Sequence, residues 1–166
     1  MDRPRLTTRP GACVLRRVAY QSVRIESLAV EVPPHRVTSQ ALEDELSPTY
    51  RRLGIPAGCI ETLVGIKARR FWDEDLPGAG PPGRIAECAG RVARAAFEKG
   101  GRAAELMART GVVISTSVCK DYIEPSVAAL VRGQLSLPAD CEAFDVGNAC
   151  LGFMNGMDLA SMWIEQ

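Results

Sequence analysis

Apolar and polar positions along the chain sort into β-rich and helical segments in turn. Residues 23–32 (VRIESLAVEV) are β-rich and apolar, with charge confined to Arg24, Glu26 and Glu31, and Pro33-Pro34 end the run; this predicts a strand followed by a turn. Thr38 or Ser39 is placed to cap a helix running toward Leu46. A second helical stretch at 49–53 follows Pro48 and is stopped by Gly54. Residues 67–72 read as extended. The composition of 73–83 (DEDLPGAGPPG) predicts a loop, expected to be mobile, since neither helix nor strand accepts so many prolines and glycines.

Beyond that loop, Ile85, Cys88, Ala89, Val92 and Ala96 recur at helical spacing. Arg84, Glu87, Arg91, Arg94 and Glu98 take the other face, and Gly100-Gly101 closes a helix expected to lie on a sheet. GVVIS (111–115) and AFDV (143–146) are short apolar runs of the kind buried on both faces. Between them, residues 125–135 read as a helix with Pro at its first position. Strand, helix, strand, helix is the order of a parallel sheet in an α/β fold. The sequence stops at Gln166, in or just after the helix that begins near Cys150. That helix needs neighbours, so further strands are expected from a second polypeptide or from a part lost by truncation.

Composition narrows the class. A chain of 166 residues, 46% apolar, carries one domain with a hydrophobic core, and a net charge of zero argues against nucleic acid or an anionic membrane as partner. The longest apolar stretch, 151–164, is interrupted by Asn155 and Asp158 and does not make a membrane span. Residues 1–18 form an Arg-rich extension expected to be flexible, without the apolar segment of a secretory signal. Cysteines 13, 59, 88, 119, 141 and 150 form no CxxC pair, and only His35, read as a surface loop residue in the PPHR turn, could join them in a metal site. Reduced thiols in the cytoplasm are expected and no structural zinc. GAGPPG lacks the preceding strand and the spacing of a dinucleotide fingerprint.

One cysteine stands apart. FDVGNACLGFMNGMDLA places Cys150 after a buried strand and a Gly-Asn turn, at the first turn of an apolar helix. The free N–H groups and positive end of the helix dipole there favour a thiolate, and the same N–H groups can hold the oxyanion formed when a thioester is attacked. Gly152 and Gly156, one turn apart, let another helix or backbone approach closely. The other five cysteines are expected to be inert core thiols.

This strand-turn-cysteine-helix segment resembles the active-site element of the thiolase superfamily. LGI (53–55), VGIKARRFWDED (64–75) and STSVCKDYIEPS (115–126) resemble specifically its OleA type. The resemblance runs from about residue 18 to the last. It implies the N-terminal part of a thiolase-like fold, layered α-β-α-β-α and incomplete without a second polypeptide or its missing C-terminal half. It also implies coenzyme A thioesters as substrates with no tightly bound cofactor, and a Claisen condensation of two fatty acyl-CoA molecules to a 2-alkyl-3-ketoacid without decarboxylation. Cys150 would take the first acyl group. Glu124, in DYIEPS, would remove the α-proton of the second acyl-CoA, reaching across a dimer interface. In ketoacyl-ACP synthase III relatives the position before this Pro-Ser is usually aromatic; on residues alone, a Glu before Pro is most often a helix-start acid, and the resemblance raises the catalytic reading above that. Arg69 and Arg70, with Lys67, form a basic cluster that either meets the phosphates of coenzyme A or is a solvated strand edge, and Trp72 either covers an adenine or packs.

The superfamily also uses a histidine, usually with an asparagine, from the second half of its fold, and neither has a counterpart here. Two readings follow: the chain pairs with a second polypeptide that supplies them, in a heterodimer that dimerises further, or it is a noncatalytic remnant acting as a structural partner. Retention of both Cys150 and Glu124 favours the first. A ketoacyl-ACP synthase III-like acyltransferase is the alternative activity.

Overall fold

A computed structural model describes residues 20–72 and 84–166. The expected extension at 1–18 and loop at 73–83 lie outside them. The elements run β1 (His35–Thr38), α1 (Ser39–Leu53), α2 (Cys59–Val64), β2 (Ala68–Phe71), α3 (Arg84–Lys99), α4 (Ala103–Ala108), β3 (Val112–Ser115), α5 (Val127–Gln134), β4 (Glu142–Asp145), a 3-10 turn (Ala149–Leu151) and α6 (Gly152–Ile164).

β3 and β4 pair in parallel, Val112 opposite Glu142 and Ser115 opposite Asp145. Because successive side chains of a strand point to opposite faces, β3 serves two helices. Val113 packs into the buried cluster of Ala86, Val127, Val131, Leu135, Leu137 and Cys141 on the α5 side. Ile114 and Thr116 meet Gly156 and Gly152 of α6 on the other. The result is one β layer between helical layers, with α3 outside α5. α3 therefore does not lie directly on the sheet as expected; α5 and α4 are its main neighbours. Its buried stripe is Ile85, Ala86, Ala89, Gly90, Ala93 and Phe97, while Cys88 and Ala96 face a different segment.

That segment is the N-terminal run predicted as a strand. Residues 23–32 form no ladder among the described residues. They follow α3, held by polar contacts: Ser27 Oγ donates to the Ala96 carbonyl at 2.7 Å, Arg91 binds Glu31 at 2.8 Å, and Lys99 Nζ reaches the Leu28 carbonyl at 3.3 Å. A β-rich composition fixes an extended habit, whereas a strand also needs a partner for its amides and carbonyls. Ile25, Leu28, Val30 and Val32 remain exposed.

β1 and β2 form a separate antiparallel pair, with His35 opposite Phe71. His35 is thus a half-buried strand residue and not part of a surface loop. The two helices predicted at 38–46 and 49–53 are one, α1: Thr38 caps it by accepting from the Ala41 amide at 3.1 Å, Pro48 is accommodated inside it, and Gly54 ends it at φ 66°. Glu43, buried on α1, accepts from the amides of Gly58 and Ile60 and so caps α2. α5 begins after Ser126, whose hydroxyl accepts from the Ala129 amide at 3.1 Å, so Pro125 precedes the cap and does not occupy the first helical position.

Candidate active site

In parallel strands both outgoing loops leave at the same, C-terminal end, where α/β folds build their sites. β3 leads into the loop 116–126, which carries Glu124; β4 leads through Gly147-Asn148 to Cys150. The topology therefore brings Glu124 and Cys150 to one edge of one sheet. It leaves Arg69 and Arg70 on the other sheet, where each guanidinium has a structural partner: Arg69 reaches Ser39 Oγ at 3.4 Å, and Arg70 the Pro33 and Pro34 carbonyls at 3.3 and 3.2 Å. Trp72 packs under the Arg91 guanidinium, 5.6 Å from the ring centre.

Cys150 is exposed in the middle of the 3-10 turn that opens α6. The turn consumes two of the amides expected to face a substrate: Leu151 donates to the Asn148 carbonyl at 2.9 Å and Gly152 to that of Ala149. The Cys150 amide itself has no carbonyl partner among the described residues. Ala149 holds φ at 40°, a region costly for any residue with a Cβ. Asn148 Nδ2 donates to Asn155 Oδ1 at 2.6 Å, tying the turn to the helix one turn further on. Beneath the turn α6 sits hard against the sheet. A Cβ at Gly152 would stand 2.8 Å from the Thr116 carbonyl oxygen, and one at Gly156 2.6 Å from Thr116 Cγ2.

Glu124 is exposed at the tip of its loop with Tyr122 and the 90% exposed Ile123, and the peptide bond after it is cis. Residues on either side of the tip are fastened. Asp121 accepts from the Ile85 and Ala86 amides at 3.3 and 3.0 Å, capping α3. Lys120 Nζ lies 3.0 Å from Asp145 Oδ2. Asp145, the last residue of β4, also accepts from the Val127 and Ala128 amides at 3.1 and 3.0 Å. Burial alone would raise its carboxyl, but these two amides and the Lys120 ammonium outweigh burial and hold it below the usual carboxylate range. Neither Asp145 nor Lys120 is signalled by the sequence, because an acid inside an apolar AFDV run gives no hint of the amides it will meet.

Of the other cysteines, Cys141 is buried, and burial pushes its thiol up. Burial and nearby Glu31 do the same for the half-buried Cys88. Cys119 is exposed, contrary to the expectation of a core thiol, because it lies in the loop after β3. No cluster of His, Cys, Asp and Glu fit to hold a metal occurs among the described residues, and no described helix is long and apolar enough to cross a membrane. Leu151 before α6 and Phe153, Met154 and Ile164 along it are exposed, while the partly exposed Trp163 packs edge-on against Phe144 of β4 at 5.5 Å between ring centres. An apolar cavity of about 310 Å³ opens between α6 and β3, lined by Val112, Ile114, Thr116, Phe153, Gly156 and Met157 among others.

No protein-family profile matches the chain. It is 40% identical over 147 residues to an acyl-CoA:acyl-CoA alkyltransferase of Xanthomonas campestris, covering 89% of this chain and 40% of that protein. A Shewanella oneidensis protein of the same name is 37% identical over 86% of the chain and 38% of its own length. The chain thus spans about two fifths of the curated relatives it matches. Among solved structures, cerulenin-bound Xanthomonas campestris OleA superposes with a TM-score of 0.70 at 40% identity, over 88% of this chain and 40% of that one. The 3-oxoacyl-(acyl carrier protein) synthase III of Xanthomonas oryzae does so with a TM-score of 0.73, at the same identity and coverage. Across almost nine tenths of its own length, the chain is similar in sequence and structure to OleA-type acyl-CoA:acyl-CoA alkyltransferases.

Proposed function

We propose that this chain is the nucleophile-bearing part of an enzyme that condenses two fatty acyl-CoA molecules. Cys150 attacks the first thioester, its backbone amide holds the oxyanion, and coenzyme A leaves as the thiol. Glu124 then takes the α-proton of the second acyl-CoA. The carbanion attacks the Cys150 thioester and expels the thiolate; one water releases the 2-alkyl-3-ketoacid and the second coenzyme A. Glu124 acts across an interface on the site of a second copy. The exposed, partly apolar tip formed by Tyr122, Ile123 and Glu124 supports that arrangement.

The observation that carries this reading is the placement of an exposed thiol at the strand-turn-helix junction, in a chain whose relatives are named acyl-CoA:acyl-CoA alkyltransferases. A further polypeptide supplies the histidine and covers the apolar side of α6; the exposed Leu151, Phe153 and Met154 and the open cavity beside β3 support this. Arg69 and Arg70 are the less favoured candidates for coenzyme A phosphate, since both guanidinium groups already have protein partners. A second reading, condensation from an acyl carrier protein, is favoured by the likeness to synthase III enzymes.

The test is condensation of a long-chain acyl-CoA, followed by mass spectrometry of the 2-alkyl-3-ketoacid or its decarboxylated ketone. It is run with and without the companion polypeptide, and with acyl carrier protein thioesters in parallel. Product from acyl-CoA that disappears in Cys150→Ala and falls at least about a hundredfold in Glu124→Ala supports the proposal. Undiminished product from Glu124→Ala removes Glu124 from the mechanism, and product only from carrier-protein thioesters selects the second reading.

A further inference from the structure

We propose that Asp145 and Lys120 form a clamp that holds the Glu124 loop to the end of β4, so that its tip is presented in one position to the site of the second copy, making them positioning residues for the condensation step. The inference rests on the roles proposed above for Glu124 and Cys150. Its geometric basis is that one carboxylate binds both shoulders of the Glu124 loop. Lys120, four residues before Glu124, reaches Asp145 Oδ2 at 3.0 Å. Val127, three residues after it, donates to the same oxygen at 3.1 Å, and Ala128 donates to Oδ1 at 3.0 Å. The Asp145 side chain is only 3% exposed and stands five residues before Cys150 on continuous backbone. A movement of the loop relative to β4 must therefore break charge-assisted hydrogen bonds in a buried place, where they are strong.

Asp121 adds a second anchor through the α3 amides. Of the residues between Lys120 and Ser126, the exposed 122–124 tip is the part without such a tether. The arrangement is asymmetric with respect to the two proposed catalytic groups. Cys150 has its own local supports in the Asn148–Asn155 bond and the glycine contacts of α6. Glu124 has none on its side chain among the described residues and depends on the shoulders of its loop. Loosening the clamp is therefore felt first at Glu124. Proton abstraction requires the base within hydrogen-bond reach of the α-carbon proton, and a misplacement of about 1 Å costs on the order of a hundredfold in rate.

The experiment compares wild type, Lys120→Met, Lys120→Arg and Asp145→Asn in the full chain. Hydrogen exchange of the Val127 and Ala128 amides, which donate to Asp145, tests the clamp whatever the reaction is. Lys120→Met is expected to speed exchange there about tenfold or more, the loss of one hydrogen bond to a charged group, with β3 and α6 amides unchanged and Lys120→Arg close to wild type. Exchange that does not change in Lys120→Met, or that rises equally throughout the chain, overturns the clamp. In preparations that condense, Lys120→Met is expected to lower condensation at least about tenfold more than Cys150 acylation, with Lys120→Arg restoring it. A parallel fall in both overturns the positioning of Glu124. If wild type acylates Cys150 but never condenses, the functional reading fails instead, and the exchange data alone decide the clamp.

Discussion

The seat of Cys150 rests on two glycines that meet the same threonine in different ways, and this gives a prediction with an internal control. A methyl at Gly152 would stand 2.8 Å from the Thr116 carbonyl oxygen and 3.5 Å from that of Val146. Both are backbone atoms, and the Val146 amide is itself bound to the Ser115 carbonyl at 2.7 Å, so the end of the sheet has little room to yield. Overpacking of this sort costs about 1–3 kcal/mol. Gly152 is the first residue of α6, where the helix-propensity gain of alanine is smaller than the roughly 1 kcal/mol of an interior site. Gly152→Ala should therefore destabilise by about 2 kcal/mol, lowering Tm by roughly 5 °C. Gly156→Ala meets a side chain instead, Thr116 Cγ2 at 2.6 Å, and gains the full interior propensity. Its net cost should be about 1 kcal/mol or less. Removing that methyl with Thr116→Ser should rescue Gly156→Ala and leave Gly152→Ala unrelieved, a coupling that a double-mutant cycle of urea midpoints resolves. A Gly152→Ala protein within about 0.5 kcal/mol of wild type, or equal rescue of both variants, would refute the claim that α6 is seated on the β3 backbone.

Other outcomes follow from single features. Asp145 has a folded-state pKa below its unfolded value, so its stabilisation is complete above about pH 4 and is lost as pH falls through the folded pKa. On acidification below pH 4 the urea midpoint of wild type should fall more steeply than that of Asp145→Asn, and parallel curves would contradict this. Ala149→Gly should be neutral or stabilise by up to about 1 kcal/mol, because glycine accepts φ 40° without a Cβ penalty; a loss of more than about 1 kcal/mol would show that the turn is not strained. Ser126→Ala should cost about 1 kcal/mol through loss of the α5 cap, read from thermal melts. In the folded protein Cys150 and Cys119 should react with iodoacetamide and Cys141 only after unfolding; native labelling of Cys141 at the rate of Cys150 would contradict its burial.

What the sequence disclosed depended on whether the deciding interaction was local. The N-cap of α1, the end of that helix at Gly54 and the run of α3 all follow from residues within a few positions of one another. The strand expected at 23–32 did not form a ladder because pairing is a property of two segments, and the polar contacts that hold this one to α3 come from 60 or more residues away. Pro48 was read as a boundary, yet the helix continues through it. Cys150 and Glu124 stand out as candidates from their motifs, but that they share one sheet edge follows only from the parallel register. Asp145, which binds the two loops together, was invisible for the same reason as the 23–32 contacts: its partners are distant in sequence.

The central claim is that Cys150 is the acyl acceptor, and it is tested most directly by peptide mapping after incubation with a long-chain acyl-CoA or its p-nitrophenyl ester. The account predicts a single hydroxylamine-labile acyl group on the peptide containing Cys150, absent from Cys150→Ala, with the likewise exposed Cys119 unmodified on the same timescale. An acyl group on Cys119 or another cysteine, with Cys150 recovered free, would contradict it.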